Sequence, residues 1–141
     1  VTHPHLTRHF TGLTYDESYY LTSERAKYDL ESFMEDNKGG ETDITHGFAW
    51  FLQQMKGLTG ALRTTHTQRD NQTGFRHDIK LKNVLVFVNG QTSPQFRWTD
   101  GAPHRRAHDI WSLGCMYLEI LVWYSGGQER LDKFGTDMAE E

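Results

Sequence analysis

The chain has 141 residues, 36% hydrophobic and 24% charged, enough for one domain with a real core and too few for a two-lobed one. Its net charge of −4 argues against a nucleic-acid binder, which would show a basic face. A single cysteine, Cys115, excludes an internal disulfide, and its apolar neighbours make a buried structural thiol the expectation.

The opening VTHPHLTRHF is polar and His-rich, which does not read as a signal peptide. No apolar run is long enough to span a membrane. A cytoplasmic or nuclear protein is therefore expected. Leu6 to Glu24 is rich in Thr, Tyr and Phe and is divided by Tyr15-Asp16-Glu17-Ser18, so it reads as a β-hairpin. Asp29 to Asn37 reads as a short helix with Asp29 as N-cap. KGGET follows as a joint. A strong helix is expected from Asp43 to Thr65. Its apolar stripe is Phe48, Phe51, Leu52, Met55, Leu58 and Leu62. Gly57 and Gly60 weaken that helix but leave room for close packing by another element.

Val84 to Val88 is a continuous apolar run, hence a buried strand, and Asn89-Gly90 starts the turn after it. Gln95 to Thr99 is its expected partner. His108 to Tyr124 is apolar nearly all round and predicts a helix at the centre of the domain, with Trp111, Tyr117 and Trp123 as core aromatics. The tail from Ser125 reads as amphipathic at best, and its last residues are expected to fray. The eight histidines show no ligand pattern with Cys or Glu, so no zinc site is expected. The sequon Asn71-Gln72-Thr73 is a weak glycosylation match.

The loop GFRHDIKLKNVLVF, from Gly74 to Phe87, places Asp78, Lys80 and Asn83 at the spacing of a phosphoryl-transfer loop. That chemistry needs a carboxylate to orient the attacking hydroxyl, oxygen ligands for Mg²⁺, and cations against the phosphates. Simpler readings compete. Asp78 and Asp100 each suit a plain turn, and Lys80 with Lys82 suits a solvated charge pair.

Three stretches in order, HDIKLKNVL (77–85), TDG (99–101) and HDIWSLGCMYLEIL (108–121), resemble a eukaryotic protein kinase domain of the divergent fungal type. Upstream, HPHL is similar to the turn after the kinase regulatory helix, YYLTSERA to the strand entering the hinge, and FLQQMKGLTGALRTTH to the helix before the catalytic loop. The fold implied is α+β, mainly α: a protein-kinase-like C-terminal lobe over 27–141, with an N-lobe remnant and hinge over 1–26. The resemblance makes Asp78 the catalytic base and Lys80 the cation on the transferred phosphoryl. Asn83 and Asp100 would hold Mg²⁺. Leu85 would floor the adenine pocket, with Glu24 to Ala26 as the hinge. Asp109 would accept hydrogen bonds from catalytic-loop amides near Arg76 and His77.

Departures from the pattern bear on activity. Arg76 and His77 stand transposed, Leu81 replaces a usual Pro, and Asp100 runs directly into Gly101. An Arg at position 76 would bury a charge unless it turns outward or meets a carboxylate. The chain opens with the N-terminal lobe half built, so no Gly-rich loop and no phosphate-pairing strand Lys are expected. Asp100 and Asp109 are nine positions apart where the family places a long activation segment. The expectation is a kinase-derived fragment, impaired in catalysis, that binds ATP and Mg²⁺ weakly and serves as a binding or regulatory module. A protein partner or self-association would use exposed apolar surface. The alternative is a Ser/Thr protein kinase, transferring phosphate from ATP to a protein hydroxyl, that is completed by another chain.

Overall fold

A computed structural model describes residues 2–37, 47–67, 79–90, 93–99 and 106–139. Among them the architecture is α+β, with three α-helices and two small antiparallel sheets. Strands β1 (His9–Tyr15) and β2 (Ser18–Ser23) form the expected hairpin, with Leu13 opposite Tyr20 and Tyr15 opposite Ser18. Asp16 and Glu17 both adopt positive φ, the geometry that lets a two-residue turn follow the strands' twist. Every hairpin residue is exposed.

The second sheet orders β3 (Tyr28–Asp29), β4 (Val84–Phe87) and β5 (Gln95–Trp98), with β4 central. Val84, Val86, Phe87, Phe96 and Trp98 are buried, as the apolar run of β4 requires. Helix α1 (Leu30–Asn37) starts where expected. Asp29 Oδ1 accepts the Ser32 N–H at 3.0 Å and Oδ2 accepts the Ser32 hydroxyl at 2.9 Å, an N-cap made by both oxygens. Burial works to raise the Asp29 pKa, but these bonds hold it below its ordinary value.

Helix α2 (Phe48–Thr67) buries Phe51, Met55, Leu58, Ala61 and Leu62. Phe48 and Leu52, expected in the same stripe, are exposed instead: they flank the buried line, and Phe48 only leans on Phe51 and Tyr124. The proposed start of this helix, 43–46, lies outside the described residues. Both glycines receive the N-terminal segment. The His5 ring lies against Gly57, and His3 Nε2 would be 3.3 Å from a Cβ on Gly60. The same segment joins β5: Thr7 N donates to Trp98 O and Trp98 N donates to His5 O, each at 3.0 Å.

Helix α3 (Arg106–Ala139) differs from the sequence reading in two ways. It buries one face, Asp109, Leu113, Met116, Ile120 and Trp123, while Ile110, Leu118, Leu121, Cys115 and Trp111 are exposed, Trp111 at 75%. Among the described residues the packed elements lie on one side of this helix, so the apolar opposite side stays uncovered. Cys115 is therefore not a buried thiol and Trp111 is not a core aromatic. The tail from Ser125 belongs to the same helix, which runs on to Ala139 past a kink at Gly127, whose φ of 76° only glycine adopts without strain; the last two residues lie outside the described ones.

Two indole hydrogen bonds fasten the layers. Trp98 Nε1 donates to Leu58 O at 3.0 Å, and Trp123 Nε1 donates to Met34 O at 2.9 Å. Phe33 packs against both Phe96 and Trp123 and closes the core between sheet and helices.

Candidate functional site

The three-stranded sheet gathers most of the described site residues. Lys27 N donates to Val86 O at 3.0 Å, so the chain after Glu24 and Ala26 is drawn onto β4. Asp29 then pairs with Leu85, and Leu85 pairs on its other side with Arg97. Arg97 Nη1 donates to Glu24 Oε2 at 2.8 Å in a pair where the Arg side chain is 14% exposed. Of the expected hinge and adenine floor, Leu85 lies in β4, while Glu24 and Ala26 lie in the connection that leads from β2 to β3. Each is half-buried.

Backbone bonds position Asn83, one of the expected Mg²⁺ ligands. A short 3₁₀ turn, Leu81–Asn83, leads into β4, with Asn83 N donating to Lys80 O at 3.0 Å. Thr99 N donates to Asn83 O at 3.0 Å and fixes the end of β5 against that turn. Asp100 follows Thr99 directly in sequence. An amide oxygen and a carboxylate are a donor set that Mg²⁺ accepts. Lys80 is exposed at the start of the same turn.

Asp78 and Asp100 lie outside the described residues, as do Arg76 and His77. Asp109 is 2% exposed at the first turn of α3, as expected for a carboxylate with a structural task. Lys82 follows the simpler reading: it is exposed and bonds Glu31 Oε2 at 3.1 Å, which raises its pKa.

Two residues escaped the sequence reading. Arg97 holds Glu24 and lies 4.3 Å over the Phe87 ring. The only signal was an Arg set among apolar residues in QFRWT. His5 was missed as a packing residue. Its Nδ1 bonds Phe96 O at 2.6 Å, and burial lowers its pKa against the opposing effect of that bond.

The described residues form a small α+β unit with a three-stranded and a two-stranded antiparallel sheet. No family model matches the chain. A mitogen-activated protein kinase kinase kinase 1a from Physcomitrium patens is 28% identical to it over 128 residues, which covers 72% of this chain and 17% of that protein. The chain spans about a sixth of that relative's length. Among the described residues no helix is long and apolar enough to cross a membrane.

Proposed function

We propose that this chain is a kinase-derived unit, impaired in phosphoryl transfer, that works as a binding or regulatory module. One observation carries the reading. β5 ends at Trp98 and α3 begins at Arg106, so residues 99–105 alone connect them. In the kinase pattern this interval holds the metal-binding Asp and then the segment on which a protein substrate docks. So short a connection leaves no length for that platform. Positioning supplies most of the catalysis of phosphoryl transfer, so its loss removes more than any single side chain would.

What remains suits weak nucleotide capture. Asn83 and Asp100 would hold Mg²⁺, which would neutralise phosphate charge, with Lys80 as a further cation. Leu85 would meet the adenine face and the backbone of Glu24 to Ala26 its edge. Asp78 keeps the residue type of a base without a docked hydroxyl to act on. The exposed hairpin, with Phe10, Tyr15 and Tyr19 turned to solvent, is the apolar surface offered to a protein partner or a second copy.

Two measurements test this. Mg²⁺-ATP titration followed by thermal stability, with ADP as control, should give a small saturable rise. Radiolabelled ATP with a generic protein substrate should give no transfer above that of an Asp78→Asn variant. Clear Asp78-dependent transfer would overturn the reading in favour of an active Ser/Thr kinase.

A further inference from the structure

The N-terminal segment, residues 3–7, lies along the edge of β5 and satisfies its backbone. Trp98 N donates to His5 O and Thr7 N donates to Trp98 O, each at 3.0 Å. The Thr7 hydroxyl also donates to Trp98 O at 2.6 Å, and His5 Nδ1 meets Phe96 O at 2.6 Å. On the same strand Phe96 N donates to Gln54 Oε1 at 3.0 Å and does not depend on the segment. Nor does the core depend on it: among the described residues every buried hydrophobic side chain lies at or after Leu30. Release of residues 3–7 would cost their own bonds and leave the core packed, which is the condition for local opening.

The seat of His5 fixes its protonation. Phe96 O can only accept, so Nδ1 carries the ring proton and Nε2 does not. A further proton must go to Nε2, which lies against Gly57 of α2. Among the described residues Nε2 has no hydrogen-bond partner to receive that proton. The surrounding charges oppose the same step. The segment brings His3 and is followed by Arg8, α2 brings Lys56, Arg63 and His66, and β5 brings Arg97; none of these elements contains an Asp or Glu. Glu24 is already bound to Arg97. Burial is the largest influence on the His5 pKa and lowers it; the Phe96 bond opposes this, and the charges of His3 and Arg97 add to it. The His5 backbone N–H donates to His3 Nδ1 at 3.1 Å, a bond that a proton on that nitrogen would also remove.

We propose that residues 3–7 are an acid-released strap: a second proton on the His5 ring unseats the segment from β5 and α2 and bares the edge of the sheet while the core stays folded. The sign follows from linkage. The seated ring has a pKa below the ordinary 6.5, so the released ring takes the proton first. The strap is fully held above that value and is let go as pH falls toward the lowered one. The bared edge presents Phe96 O and both backbone groups of Trp98, which an extended chain can pair with.

Hydrogen exchange of the full chain, followed by NMR between pH 7.5 and 5.5 and corrected for intrinsic rates, tests this. Protection of the Thr7 and Trp98 amides should fall by up to about tenfold per pH unit below 6.5, the linkage of one proton, while the β4 amides keep theirs. His5→Gln should flatten that dependence. His9→Gln, on the exposed hairpin, should leave it unchanged. If His5→Gln frees the segment at every pH, the ring-nitrogen chemical shifts of the wild type decide instead: at pH 7.5 Nδ1 should carry the proton and Nε2 none. The opposite tautomer, or a doubly protonated ring while Thr7 and Trp98 stay protected, would overturn the proposal. So would protection at these amides that does not change with pH, that is lost equally at β4, or that keeps its pH dependence in His5→Gln.

Discussion

Replacing Gly57 with Ala sets two effects against each other. In a helix interior Ala is favoured over Gly by about 1 kcal/mol. At Gly57, however, a Cβ would fall within 3.0 Å of Nε2, Cε1 and Cδ2 of His5. The ring cannot swing away freely. Its Nδ1 bonds Phe96 O at 2.6 Å, and the His5 backbone N–H donates to His3 Nδ1 at 3.1 Å. Moving it forfeits bonds worth about 0.5–1.5 kcal/mol each and adds overpacking of about 1–3 kcal/mol. The clash wins, and Gly57→Ala should destabilise by roughly 1–3 kcal/mol net. Gly60 and Gly114 are internal controls. At Gly60 the nearest atom is His3 Nε2 at 3.3 Å, a contact a small shift relieves, so Gly60→Ala should be near neutral. At Gly114 nothing lies within 4 Å, so Gly114→Ala should stabilise by about 1 kcal/mol. Urea unfolding followed by circular dichroism reads all three, with a constant slope required. In a Gly57→Ala, His5→Ala double variant the cost specific to Gly57 should largely vanish. The reasoning fails if all three glycine variants stabilise alike, or if the double variant shows no coupling between positions 57 and 5.

Asp109→Ala should lower stability by about 1–3 kcal/mol, because a buried carboxylate is tolerated only for the bonds it makes; Asp78→Ala should change it little, and equal melting temperatures for the two variants would refute the structural role given to Asp109. Lys80→Ala, at an exposed position, should leave stability within about 0.5 kcal/mol yet abolish the increment produced by Mg²⁺-ATP; an unchanged increment would remove Lys80 from the phosphate site. Because the folded pKa of His5 lies below the usual 6.5, the unfolded chain takes the proton first. Its contribution is whole above that value and is lost as pH falls toward the lowered one, so the melting temperature of the wild type should drop more between pH 7.5 and 5.5 than that of His5→Gln; parallel curves would contradict this.

The legible parts of the fold were those with a local signal. The hairpin announced itself through two uncharged, β-prone stretches around Asp16-Glu17, β4 through an unbroken apolar run, and α1 through the Asp29 cap. Gly57 and Gly60 marked a close approach, and the structure supplies the approaching residues, His5 and His3. Helix α3 was less legible because periodicity reports a buried face only when the other face is polar. Here Ile110, Trp111, Leu118 and Leu121 are as apolar as Leu113, Met116 and Ile120, so composition alone could not say which would be covered. At Gly127 the chain adopts a positive φ, kinks and continues as helix, which the sequence pattern did not show. Glu24, Ala26, Lys80, Asn83 and Leu85 were named as candidates by resemblance alone. Their juxtaposition depends on the pairing of β3, β4 and β5, and the role of Arg97 on a contact seventy-three residues away in sequence.

The same bonds that hold the core also hold the candidate site residues in place. Leu85 stays in place because Val84 and Val86 on either side of it are fully buried. Asn83 stays beside Thr99 because Trp98, one residue earlier, is locked to Leu58 O and to the His5 backbone. Glu24 is held by Arg97, which is itself a cross-strand partner of Leu85. Each of these restraints contributes to folding stability whether or not a nucleotide ever binds. The packing around Glu24, Leu85 and Asn83 would therefore persist in a chain that binds no nucleotide at all. Lys80 is exposed, so its replacement is the change that separates a loss of nucleotide binding from a loss of fold.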